Sequence, residues 1–253
     1  MRLAGQHALV TGAGTGIGSA IAKALAQEGA KLTLVGRRRK PLEDLASCTS
    51  GAVAVPADVT VAREIQAAFK LARQSHGPLT IIVNNAGAAE SAPFAKLTSD
   101  AWRRMMAVNL DALLHCCQAA LPDLLEAECG RIITIASTAA LRGYAYTAAY
   151  VAAKHGAIGL TRALATEFAM SPFTVNAVCP GFTDTALVAD AVSAIVGKTG
   201  RSEEQVRAEL AMFNPQRRLV APEEVAAAVV WLCLPDSSSI NGQAISVSGG
   251  EVM

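Results

Sequence analysis

Seven short β-branched and apolar runs recur along the chain, each separated from the next by a stretch of helical period. This alternation is the strongest constraint on the fold. The runs fall at 7–11, 32–35, 52–56, 79–84, 131–136, 174–178 and 243–247, and the helical stretches near 17–29, 40–47, 60–75, 100–127, 149–170 and 222–234. Strands separated by helices imply right-handed crossovers, hence a doubly wound parallel sheet with helices on both faces. Ile81-Ile82-Val83 and Ile132-Ile133-Thr134-Ile135 are apolar on both faces, as a covered parallel sheet requires. One interval breaks the rhythm: residues 185–217 hold no strand. An insertion of that length in a compact domain is more often functional than a plain connector. We therefore expect one α/β domain over 1–253, with 185–217 as a substrate-binding lid.

The charge balance excludes several classes. Twenty-two basic and 21 acidic residues leave +1, so a nucleic-acid groove, which wants a basic surplus, is not expected. Charged residues make up 17% against about a quarter in ordinary soluble chains, which points to extensive burial, subunit contacts included. The densest apolar run, 225–234, is bounded by Glu224 and Pro235 and falls short of the about 20 residues a membrane span needs. The first residues lack the plan of a signal peptide. The 6 cysteines form no C-x-x-C, and none pairs with histidine at zinc spacing, so neither a disulfide nor a metal site is expected. The expected compartment is the cytoplasm.

The first strand runs into Gly12-Ala13-Gly14-Thr15-Gly16-Ile17-Gly18 and then a helix. Strand, glycine turn and helix together offer backbone N–H groups and a helix N-terminus to a pyrophosphate. The spacing is G-x-x-x-G-x-G at 12, 16 and 18 rather than G-x-G-x-x-G, but both meet the same need for sharp turning and close approach to phosphate. At the end of the second strand an NAD site places an acid on the ribose 2′-OH. Here the chain reads Gly36-Arg37-Arg38-Arg39-Lys40, with no carboxylate. A guanidinium can clamp a 2′-phosphate through paired charge-assisted hydrogen bonds, so Arg37 leads the reading for NADP(H), with NAD(H) left possible. Asp58 and Val59, ending the third strand, are placed to meet the adenine; Asp58 also suits an N-cap for a helix beginning near Thr60.

Of the tyrosines 144, 146 and 150, only Tyr150 has a lysine four residues on, Lys154, on the same helix face. An ammonium there stabilises phenolate and lowers the tyrosine pKa from about 10. Reaching neutrality takes about 4 kcal/mol, more than one cation in water supplies. A partly desolvated pair beside a positively charged nicotinamide ring is the arrangement that can reach it, and such a tyrosine exchanges a proton with a carbonyl or alcohol oxygen. Ser137, at the carboxyl end of the fifth strand, can donate to the same oxygen. Asn109 falls in the long helical stretch beside it, where an amide can hold helix backbone and a water leading to Lys154. Asn84-Asn85-Ala86-Gly87 ends the fourth strand at the switch point where ligands of open α/β sheets bind.

With these motifs the chain resembles the classical short-chain dehydrogenase/reductase family. The resemblance runs from Thr11 to Gly250: T-G-x-x-x-G-x-G at 11–18, N-N-A-G at 84–87, Asn109, Ser137, Tyr150 with Lys154, and Pro180-Gly181 followed by Thr185. It implies a seven-stranded sheet ordered 3-2-1-4-5-6-7 and a catalytic tetrad Asn109, Ser137, Tyr150 and Lys154. It further implies a cofactor cradle of Gly12, Thr15, Gly16, Ile17, Gly18, Arg37, Asp58, Val59, Asn85, Ala86, Gly87, Tyr150, Lys154, Pro180, Gly181, Thr183 and Thr185. Ser248 departs from the aspartate that many members carry in the closing motif.

Thr138, Tyr144, Phe182 and Leu187 are the candidate substrate contacts. Leu187, Val188, Val192, Ile195, Val196, Leu210, Met212 and Phe213 suit either a lid over an apolar substrate or simple packing of two lid helices. Arg217 and Arg218 suit a carrier phosphate or solvent. The chain looks most like reductases of 3-oxoacyl thioesters bound to a carrier protein or CoA, using NADPH. Hydroxyacyl-CoA or 3-hydroxybutyrate-type dehydrogenases and polyketide-type ketoreductases share the tetrad and stand as alternatives. From another class, an idle cofactor-sensing protein would be favoured by loss of Tyr150 or Lys154, and both are present. The small side chains of the helical stretches 100–127 and 149–170, among them Ala112, Ala119, Ala120, Ala163 and Ala165, allow close helix contact between subunits, and the resemblance implies a homotetramer.

Overall fold

The computed structural model describes residues 1–253. Seven parallel strands form one sheet in the order β3-β2-β1-β4-β5-β6-β7. They are β1 His7–Thr11, β2 Lys31–Gly36, β3 Ala52–Pro56, β4 Ile81–Asn84, β5 Gly130–Ile135, β6 Phe173–Pro180 and β7 Ala244–Val247. Nine α-helices accompany them: α1 Gly16–Gln27, α2 Arg39–Ser47, α3 Ala62–His76, α4 Ser99–Met106, α5 Ala112–Glu126, α6 Ala148–Glu167, α7 Ala186–Thr199, α8 Glu203–Ala211 and α9 Pro222–Cys233. The central strands β1, β4, β5 and β6 are buried at every position, which is why they read as continuous apolar runs.

Two large cores lie on the two faces of the sheet. One holds 25 buried residues and joins Val10 and Val83 to Ile21, Leu25, Val225 and Val229 of α1 and α9. The other holds 20 and joins Leu9, Ile82 and Ile132 to Phe69, Cys116 and Leu124 of α3 and α5. Burial pushes the Cys117 thiol up to about 12, so it acts as a small apolar group; all six cysteines are free. The strand order reverses between β1 and β4, which pair through Ala8–Ile81, Leu9–Ile82 and Val10–Val83. The crevice at their carboxyl ends is therefore the switch point.

The helical stretch expected near 100–127 runs unbroken from α4 through α5, with a π-helical bulge, Ala107–Asp111, between them that carries Asn109. One local expectation is corrected. Asp58 caps no helix. The α3 helix starts at Ala62 with Val61 in the cap position, while the Asp58 carboxylate accepts from the Thr60 amide at 2.9 Å and its hydroxyl at 2.8 Å, forming a local turn. No helix is long and apolar enough to cross a membrane.

The 185–217 stretch folds as α7 and α8 with a small core of its own, in which Val188, Val192, Val206 and Leu210 meet Phe182, Ile195, Val196 and Leu219. Its two ends are stapled together. Thr183 and Val220 form a parallel bridge, with Asp184 N–H donating to Val220 O at 2.9 Å and Val220 N–H to Phe182 O at 2.8 Å. At the far end Asn214 is buried, accepting from the Gln216 amide at 2.8 Å and donating to Arg218 O at 2.9 Å.

Candidate active site

The glycine turn is shaped by contacts that leave no room for side chains. Gly12 has φ +63°, and a Cβ on it would stand 2.9 Å from the Cα of Ala86; a Cβ on Gly18 would overlap the Gly12 carbonyl. Gly16, at φ +55°, packs against the Thr185 methyl. Asn85 staples this turn to the β4 end, its side-chain amide donating to Thr11 O at 2.9 Å and Gly12 O at 3.2 Å. The Thr11 hydroxyl accepts from the amides of Asn85 and Ala86, both at 3.0 Å. The backbone at the start of α1 is thus exposed toward the switch point in a cradle that only glycine permits, and this fits a bound pyrophosphate.

Past β2, the four cations divide. Arg39 and Lys40 pair with Glu43 and Asp44 one turn along α2, as solvated helix pairs do. Arg38 reaches the Thr15 hydroxyl at 3.5 Å, while Arg37 is exposed with no ion pair. Gly36 is not sterically required: a Cβ there would meet only Leu42, at 3.6 Å. Val59 is buried and Asp58 half-buried beyond β3.

On the other side of the switch point, Ser137 leaves β5 in extended conformation and its hydroxyl accepts from the Ala139 amide at 3.1 Å. Tyr150 and Lys154 share one face of α6, with the Lys154 ammonium 5.7 Å from the tyrosine ring centre. Lys154 is buried and donates to Ile135 O at 2.9 Å. Burial lowers its pKa to about 8. The π-helical bulge turns Asn109 inward: its amide donates to Ala88 O at 2.9 Å and Met105 O at 3.0 Å, and its oxygen accepts from the Ala88 amide at 3.3 Å. A Cβ on Gly87 would lie 2.9 Å from that oxygen and 3.7 Å from the Lys154 nitrogen, so Gly87 brings the two together.

The protein by itself does not lower the Tyr150 pKa. Burial pushes the phenol above its ordinary value, and the neighbouring Ser137 hydroxyl offsets part of that.

Pro180 and Gly181 close β6 above this group. The hydroxyls of Thr183 and Thr185 are turned onto backbone, donating to Gly181 O at 3.0 Å and Thr183 O at 3.2 Å. Tyr144 joins the site through a cluster of rings, with centres 6.2 Å from Phe182 and 5.8 Å from Phe213. Its hydroxyl bonds Thr138 at 2.7 Å and also the Glu251 carboxylate. Leu187 stands half out in solvent. Sequence reasoning missed Thr11 as a clamp and Glu251 altogether. Thr11 opens the glycine motif and was within reach; nothing in the sequence marks a carboxylate more than a hundred residues from Tyr144 as its partner. No group of three or more His, Cys, Asp or Glu side chains has the arrangement of a metal site.

Comparisons with known proteins agree with this geometry over nearly the whole chain. The family model described as Enoyl-(Acyl carrier protein) reductase matches residues 12–251. The D-beta-hydroxybutyrate dehydrogenase of Rhizobium meliloti (strain 1021) is 36% identical over 250 residues, covering 96% of this chain and 97% of the relative. A variant of actinorhodin polyketide ketoreductase solved with NADPH superimposes with a TM-score of 0.93 at 34% identity, covering 97% of each chain. The 3-ketoacyl-(acyl-carrier-protein) reductase from Brucella melitensis, complexed with NADH, gives 0.91 at 30% identity over 99% of this chain and 100% of that one.

Proposed function

The chain belongs to the short-chain dehydrogenase/reductase family, oxidoreductases that interconvert ketones and secondary alcohols with a nicotinamide cofactor, and we propose that it reduces 3-oxoacyl thioesters with NADPH. The observation that carries the reading is the meeting of Ser137, Tyr150, Lys154 and Asn109 beside the glycine cradle at the switch point.

When bound, the cofactor supplies hydride to the carbonyl carbon or accepts it from the alcohol. The chain's residues do the rest. Ser137 and Tyr150 orient the carbonyl oxygen, and Tyr150 donates the proton to it. Lys154, held in place by Ile135 O, stabilises the phenolate left behind. Asn109 fixes the backbone at Ala88 and Met105, where a water can resupply Lys154. Gly12, Gly16 and Gly18 receive the pyrophosphate, Asp58 and Val59 border the adenine, and Arg37 meets the 2′-phosphate, which favours NADP(H). The α7–α8 unit acts as a lid, and Phe182, Phe213 and Tyr144 give it an apolar inner wall. Arg218 is tied to Glu224 by two bonds of 2.6 Å, which leaves Arg217 as the free cation for a carrier phosphate.

Absorbance at the nicotinamide band tests the assignment. An acetoacetyl thioester should be reduced with a higher kcat/KM than free acetoacetate. Preference for the free acid with NADH would move the protein to the hydroxybutyrate type, the type named for the Rhizobium relative. We also propose a homotetramer built on the small-residue faces of α5 and α6; light scattering should give four times 26.1 kDa, and a single-chain mass at micromolar concentration would refute it.

A further inference from the structure

The C-terminal tail places a carboxylate in the wall around Tyr144 that the reaction does not use. One Glu251 oxygen accepts from the Tyr144 hydroxyl, which also bonds Thr138, the residue after Ser137. The other oxygen is buried and has no hydrogen-bond partner. It faces Gly181, where a Cβ would stand 2.9 Å from it, and Gly181 directly follows the β6 end that closes the site. Arg142 stacks its guanidinium 5.0 Å from the Tyr144 ring centre but forms no ion pair with Glu251. The same tyrosine ring packs against Phe182 and Phe213 under α7–α8. No cation pairs with this carboxylate, so its charge acts on whatever binds beside Tyr144.

We propose that Glu251 is a specificity-determining residue, whose carboxylate behind Tyr144 and Thr138 disfavours ketones bearing a free carboxylate relative to neutral ones. The proposal rests on the ketone-reducing function above and deepens it. A thioester is neutral where 3-oxobutanoate is anionic. Repulsion by a fixed like charge rejects the anion, a form of selection that acts against the wrong substrate.

The test uses the full-length protein with NADPH and three substrates: acetoacetyl thioester, ethyl acetoacetate and acetoacetate. Glu251→Gln keeps the hydrogen bond from Tyr144 and removes the charge. It should raise kcat/KM for acetoacetate about tenfold, equivalent to about 1.4 kcal/mol. The value for ethyl acetoacetate should move by less than about threefold. Ligand-induced shifts in Tm, measured for the same acid and ester with NADP+ present, read the selectivity without turnover and should change in the same sense. An acid-to-ester ratio that stays within about twofold of wild type in both readouts overturns the proposal. Failure of the thioester reading looks different: the thioester is reduced no better than the ethyl ester, while the acid-to-ester ratio still responds to Glu251→Gln.

Discussion

The floor of the site and its cover are built on opposite plans. The floor rests on two cores of 25 and 20 buried residues, and Ser137, Lys154 and Asn109 are each held by hydrogen bonds to backbone. The cover, α7 with α8, has a core of four buried residues and joins the body through the Thr183–Val220 bridge, the Asn214 turn and the ring cluster. Proton transfer needs fixed geometry, which a close-packed sheet supplies. Substrate entry needs an element that opens at low cost, and small local cores open first. One chain therefore divides precision and access between a large core and a small one.

The sharpest way to separate the two regions is chemical. Tyr150→Phe removes only the proton donor from the floor, so kcat should fall by about 10²–10⁴-fold while NADPH binding, read by fluorescence titration, stays near normal. Tyr144→Phe, under the cover, should keep most turnover. Comparable losses in both variants would erase the distinction between floor and cover.

A smaller effect concerns the phosphate end of the floor. One charge-assisted contact to a 2′-phosphate contributes about 1.5–3 kcal/mol, so NADPH should be preferred to NADH by about one to two orders of magnitude in kcat/KM. Arg37→Ala should narrow the ratio by raising the KM for NADPH. Gly36→Asp should reverse it, and because a Cβ fits at Gly36 without clash or positive φ, Tm should hold. Equal or tighter binding of NADH by the wild type would make the arginine run a solvated helix start.

Smaller still are matched cavities. Val10 lies in the sheet core and Val192 in the core of the cover, both without exposure. Truncating either to alanine removes two buried methyl groups, at a cost of about 1–3 kcal/mol. Val10→Ala should lower Tm. Val192→Ala should leave Tm nearly unchanged, speed hydrogen exchange over 186–211 and raise the substrate KM a few-fold. Equal losses of Tm would mean that the cover unfolds only together with the body.

The smallest effect is one of pH. His7 is buried at the amino-terminal end of the sheet, between Gly77 O and the Thr33 hydroxyl, each at 2.9 Å. Burial lowers its pKa, and that of His76 beside it. The folded values lie below the unfolded one of about 6.5, so the unfolded chain binds more protons in acid. Stability is complete above about pH 6.5 and declines as the pH falls from there through the folded values. Urea midpoints at pH 7.5 and 5.5 should differ less for His7→Gln than for wild type. The cover contains no histidine, so its hydrogen exchange relative to the body should not follow this change.

Periodicity and motif spacing determined the architecture. The alternation of runs specified a parallel sheet, and burial of the central strands on both faces is why the signal was so plain. The tyrosine–lysine pair and the glycine turn were also legible, because each depends on local helical or turn geometry. The π-helical bulge at Asn109 was not: a phase shift of one residue is hard to read where apolar residues surround the helix so densely, and the amide's partners at Ala88 come from another loop. Which apolar residues of 185–217 face inward was settled only by packing, with Val188, Val192 and Leu210 in the unit's own core and Met212 left exposed. The pairing of Tyr144 with Glu251 likewise exists only in the folded chain, where the tail after β7 lies against the loop after β5. Local spacing records what neighbouring residues do to one another; contacts across many crossovers depend on how the strands are ordered, and no local spacing carries that.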